Sequence, residues 1–89
     1  MAKILLVKEQ LPARTFQGND GQVTVVELLL TDGVDTFVAT ANEKDSAALV
    51  NNPLQPGTYI AAHLQFTVYK GNNGYFQNCR ILKWGLYAY

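Results

Sequence analysis

A chain of 89 residues with one histidine, one cysteine and one serine has little from which to build an active site. Any acid–base pair would have to include His63, and its strand neighbours Ala61 and Gln65 offer it no partner. Ser46, inside a predicted helix, lacks the sharp strand-to-helix turn that exposes a nucleophile. One histidine and one cysteine cannot supply a typical zinc site of four protein ligands. The glycine-containing stretch "KGNNG" lacks the spacing and the following helix of a phosphate loop. No enzyme, metal or cofactor is therefore expected. The lone Cys79 excludes an internal disulfide and fits a reducing compartment.

Long apolar runs are also missing. "MAKILLVKEQ" holds four consecutive apolar residues, Ile4 to Val7, too few for the core of a secretory signal. No run approaches the eighteen or so apolar residues of a membrane span. A soluble cytoplasmic protein without a membrane partner is the expectation. Charge is sparse at 16%, and seven basic residues cancel seven acidic ones, so the overall basic footprint of many nucleic-acid binders is absent. The distribution is less even. Lys70, Arg80 and Lys83 have no acidic residue among them or after them, while Asp32, Asp35, Glu43 and Asp45 crowd the middle. A local positive face is compatible with that spacing.

What is present is strand pattern and turn chemistry. Ile4 to Val7 form a β-prone run that Pro12 terminates. "QGNDG" at 17–21 and Asp32-Gly33 are turn signals, since Asn, Asp and Gly tolerate positive φ. They bound a predicted strand over 22–31 and a third over 34–41. The third carries Val34, Thr36, Val38 and Thr40 on one face and Asp35, Phe37, Ala39 and Ala41 on the other. The period then changes. Asn42 can cap a helix with Asp45 in its first turn, and Asn51-Asn52-Pro53 stops it, so about ten residues of helix are predicted, burying Leu49 and Val50. From Thr58 to Tyr69 alternation is nearly strict. Ile60, Ala62, Leu64, Phe66 and Val68 point one way, while Tyr59, His63, Gln65, Thr67 and Tyr69 point the other. Gly71 to Gly74 reverse the chain into a fifth strand over 75–84. Three strands, a short helix and two strands in one domain over 1–89 predict an all-β, five-stranded Greek-key barrel of the OB-fold type, with the helix between strands three and four.

The stretch "GTYIAAHLQFTVYKGNNGYFQNCRIL" resembles the fourth and fifth strands of the bacterial single-stranded DNA-binding protein family. Gly57, Ile60, Leu64, Tyr69, Lys70 and Gly74 fall in matching places. "PARTFQGNDGQVTVVELLL" is similar to the family's segment entering the second strand, through Pro12, Arg14, Gly21 and Val23. The tight "TDGV" turn stands where the family often has a longer DNA-contacting hairpin, and no acidic-tipped tail follows. The chain thus looks like a short, tail-less or primosomal-type relative. The resemblance implies non-catalytic, largely sequence-independent single-stranded DNA binding by a homo-oligomer, a dimer or tetramer, in replication, recombination or mobile-element maintenance. Other replication proteins are implied partners, and RNA stays open beside DNA.

Single strands are held by stacking bases on aromatic rings while cations follow the phosphates. Tyr69 beside Lys70 is the leading candidate. Tyr75 and Phe76 leave the hairpin on opposite faces and join it, as does Phe37, unless its face is the core. Arg14 and Phe16 form a second cation–aromatic pair before the "QGNDG" turn. Arg80 and Lys83 are candidate phosphate contacts on the last strand. Tyr59 and His63 share the face of Tyr69 and could equally meet another subunit. Trp84, Tyr87 and Tyr89 suit packing or a subunit contact better than a base. Two alternatives use the same aromatics: an OB-fold interaction subunit whose aromatic face packs on a partner chain, and an oligosaccharide-binding module.

Overall fold

The computed structural model describes residues 2–88. Its strands are β1 (Lys3–Gln10), β2 (Arg14–Gly18), β3 (Gly21–Val25), β4 (Glu27–Thr31), β5 (Thr36–Ala41), β6 (Tyr59–Gly71) and β7 (Gly74–Leu86), with one helix, α1 (Glu43–Asn51), between β5 and β6. Five strands close into a barrel in the order β1-β4-β5-β7-β6, and β2 and β3 form a separate two-stranded sheet. Neighbours in the barrel run antiparallel except β5 and β7, which pair in parallel at Thr40–Arg80 and Ala41–Ile81.

The period-2 pattern fills the barrel. Leu5 and Val7 of β1, Leu28 and Leu30 of β4, and Ala39 and Ala41 of β5 are buried. Ile60 and Ala62 of β6 and Cys79 and Ile81 of β7 close the same core, which Leu49 of the helix completes. Burial also pushes the Cys79 thiol above its ordinary range, so it stays protonated at neutral pH.

The predicted second strand divides in two. Val23 and Val25 keep one phase of alternation, while Val26, Leu28 and Leu30 keep the other, and all three of the latter are wholly buried. The slip falls between adjacent valines. It frees the segment before it to fold as β3 against β2, with Gly18–Gly21 closing the hairpin. At the slip the Val26 N–H loses its ladder partner and donates instead to Ser46 Oγ at 2.9 Å. That hydroxyl in turn donates to the Ala41 carbonyl at 3.2 Å. Ser46 is fully buried, so the sole serine of the chain joins the helix to β5 and to the junction between β3 and β4.

The helix starts where the change of period predicts. The Asn42 side chain accepts from the Asp45 N–H at 2.7 Å, which satisfies one of the free donors of the first turn. At the other end the Gln10 amide donates to the Leu49 carbonyl at 3.1 Å and accepts from the Leu54 N–H at 2.9 Å, tying the helix exit to β1. Val50 departs from expectation: it is half exposed, because the narrow buried side of so short a helix holds only Ser46 and Leu49. Among the described residues no helix is long and apolar enough to cross a membrane.

Candidate nucleic-acid interface

β6 and β7 are longer than the barrel wall. β1 pairs with β6 only from Tyr59 to Ala62, and β5 pairs with β7 only at Arg80 and Ile81, yet β6 and β7 stay paired from Ile60–Leu86 to Gly71–Gly74. Their distal half is therefore a two-stranded arm beyond the barrel. Phe66 and Val68, which alternate as core residues would, are 47% and 62% exposed for this reason. The irregularity between His63 and Leu64 skips Leu82 on β7, which leaves Leu82 exposed and keeps Lys83 level with His63.

Opposed residues of an antiparallel pair share a face. One face of the arm therefore carries Tyr69 opposite Phe76, Thr67 opposite Asn78, Gln65 opposite Arg80 and His63 opposite Lys83. The Tyr69 and Phe76 rings stack with centroids 5.8 Å apart and planes at 28°. Each ring is about half exposed. A side chain at Gly71 would run into the Phe76 ring, so glycine at 71 is what lets that ring lie flat across the arm. From Phe76 to Arg80 the strand advances roughly 13 Å at about 3.3 Å per residue. No acidic residue occurs anywhere in β6 or β7.

The opposite face carries Lys70 across from Tyr75, Val68 from Gln77 and Phe66 from Cys79. Tyr75 and Phe76 thus take opposite faces, as expected, and both remain exposed. Near the barrel this face meets Phe37. Phe37 lies on the inward side of β5, half-buried at the edge of the core, and its ring sits edge-on to Phe66 with centroids 5.9 Å apart. Phe37, Phe66 and Gln77 line two adjoining cavities of about 390 and 290 Å³, the first also bounded by Lys3, Asp32, Asp35 and Thr36 and the second floored by Cys79.

Arg14 and Phe16 stand elsewhere, on the β2–β3 hairpin. Phe16 is 53% exposed, and the Arg14 guanidinium is 3.0 Å from the Glu27 carboxylate. The fold thus brings Tyr69, Phe76, Arg80 and Lys83 onto one face. It sets Lys70 and Tyr75 behind them, Phe37 in the cleft, and Arg14 with Phe16 on the separate hairpin. Trp84 packs against the core, Tyr87 is exposed, and Tyr89 lies outside the described residues.

The cleft with its carboxylates is the part that sequence reasoning missed. Asp32 Oδ1 accepts from the Val34 and Asp35 N–H groups, both at 2.8 Å, in the β4–β5 turn. The Asp35 and Val34 amides hold its carboxyl below the ordinary value, so it is ionised at neutral pH. The Asp-Gly turn signal was legible, but not that the turn would face the Phe37–Phe66 pair. Among the described residues no group of three His, Cys, Asp or Glu side chains could hold a metal ion. Comparison with protein-family models and with curated proteins finds no match.

Proposed function

We propose that the protein binds single-stranded nucleic acid, DNA in the first instance, without catalysis, through an OB-type barrel related to the bacterial single-stranded DNA-binding proteins. The barrel order supports this reading. Counting barrel strands alone, the order is 1-2-3-5-4, with the helix between the third and fourth. In OB-folds the connections between strands one and two and between four and five flank the ligand. Here those connections are the β2–β3 hairpin, which carries Arg14 and Phe16, and the β6–β7 arm.

The observation that carries the proposal is the acid-free arm face, with a stacked aromatic pair in line with Arg80 and Lys83. Bases stack on Tyr69 and Phe76 while the two cations meet phosphates, an arrangement that tolerates any sequence. Titration of a fluorescent oligo-dT at two salt concentrations tests it. Binding that weakens with added salt is the expected result; no binding at low salt would end the reading. Lys70, at the tip and on the opposite face, has a lesser part. Lys70→Ala lowers affinity slightly and flattens the salt slope by about one phosphate contact. An unchanged slope in the same titration would remove it from the interface.

Self-association belongs to the same reading. Ile4 is 46% exposed on the outside of β1, where it lines a groove of about 410 Å³ with Leu6, Thr31 and Tyr59. A second copy covering this groove would remove apolar surface from water. Light scattering at micromolar concentration is expected to give a dimer or tetramer mass, and a monomer mass would refute self-association while leaving strand binding in place.

A further inference from the structure

The cleft between the β4–β5 turn and the inner face of the arm differs chemically from the arm's outer face. Its rings, Phe37 and Phe66, offer apolar surface of the kind bases stack on, but its charged rim is partly acidic. Asp32 and Asp35 repel phosphates, so a strand on the arm would not send its backbone there. An uncharged base can enter. The Asp35 carboxylate makes no side-chain hydrogen bond or ion pair among the described residues, whereas one oxygen of Asp32 is already taken by two backbone N–H groups. An ionised carboxylate only accepts hydrogen bonds. Guanine alone among the common bases presents two adjacent donors on its Watson–Crick edge, N1–H and the N2 amino group, which match the two oxygens of one carboxylate. Adenine and cytosine present one donor beside an acceptor there. Thymine and uracil present one N–H between two carbonyls that a carboxylate repels. Gln77 and Thr36, on the same walls, can donate to the guanine O6 acceptor.

We propose that the Phe37–Phe66 cleft is a base-selective subsite that admits one guanine of a bound single strand, with Asp35 pairing its N1–H and N2 amino group. The inference rests on the strand-binding reading above and adds a preference to it. A guanine flipped off the arm would stack against the phenylalanine pair, with its phosphates left outside the acidic rim.

The test compares fluorescent oligo-dT with the same oligomer carrying one central guanine, and with one carrying inosine there, which keeps N1–H and lacks the amino group. The guanine oligomer is expected to bind at least about fivefold more tightly than oligo-dT, the low end of discrimination by a bidentate pair. Inosine should lose most of that gain. Asp35→Asn should abolish the preference and leave oligo-dT affinity equal to the parent's or slightly higher, since a negative charge near the strand is removed. The inosine comparison uses the unaltered protein, so it decides even if the variant folds poorly. Equal binding of all three oligomers, or a guanine preference that survives Asp35→Asn, would overturn the subsite while oligo-dT binding stands. Failure to bind any of the three would overturn both this inference and the reading on which it rests.

Discussion

Removing both rings of the outer arm pair, Tyr69→Ala with Phe76→Ala, is expected to weaken oligo-dT binding by roughly 5- to 150-fold, the equivalent of about 1–3 kcal/mol for one stacked base. The two rings already stack with centroids 5.8 Å apart, so they form one platform, and the single changes should not sum to the double. Losing Phe76 alone also uncovers Gly71 and removes the cross-strand neighbour of Tyr69, so it should cost more than losing Tyr69 alone. Both rings are about half exposed and lie on the part of the arm that no third strand covers, so the thermal transition of the barrel should move little. An affinity that stays at the parent value would mean the pair braces the arm and binds nothing. A collapse of the thermal transition would mean that the rings belong to the packing.

The second large effect is on stability. Ser46→Ala is expected to lower the unfolding free energy by roughly 1–3 kcal/mol, measured by urea denaturation. The hydroxyl is fully buried and occupied on both sides, accepting from the Val26 N–H and donating to the Ala41 carbonyl. Alanine would strand the Val26 N–H, and the Ala41 carbonyl would lose the hydroxyl that donates to it. Ser46→Thr keeps the hydroxyl but adds a methyl group to a site with no free surface, so it should recover only part of the loss. A midpoint unchanged within error in Ser46→Ala would mean that water reaches Val26 and that the junction is looser than drawn. The hydrogen-bond partners of Ser46, Val26 and Ala41, lie off the arm, so oligonucleotide affinity under folding conditions should be the parent's, which separates this effect from the first.

Sequence pattern carried the barrel strands further than it carried the site. Strict alternation from Thr58 to Tyr69 identified β6, and the change of period at Asn42 identified the helix and its cap. The same alternation placed Phe66 and Val68 on the right face but not their exposure, because a period of two continues unchanged when a strand runs past the barrel wall and its inner face becomes the wall of a cleft. The split between β3 and β4 had a sequence signal, the phase slip at Val25-Val26, which a window spanning both strands averages away. Val50 followed the apolar pattern of its helix but faces out, since helical stripes narrower than one turn do not fix which edge is covered. Tyr69, Phe76, Arg80 and Lys83 were each legible as candidates. Their common face depended on the β6–β7 register, which the skipped Leu82 shifts, and no local pattern specifies such a shift. The position of the β4–β5 turn opposite Phe66 depended on barrel closure and was beyond local reading altogether.

The β5–β7 seam is the shortest join in the barrel, paired at Thr40–Arg80 and Ala41–Ile81, whereas β6 and β7 run together for their whole length. A cylinder whose staves are unequally glued breathes at its weakest joint. Amide protons along β5 ahead of Thr40 have no partner on the β7 side and hold to the barrel through β4 alone, so they set the softest region of the wall. The Phe37–Phe66 cleft lies directly above that joint. A base wedged into the cleft is therefore expected to act as a caulk, slowing amide exchange along β5 without adding a strand to the seam.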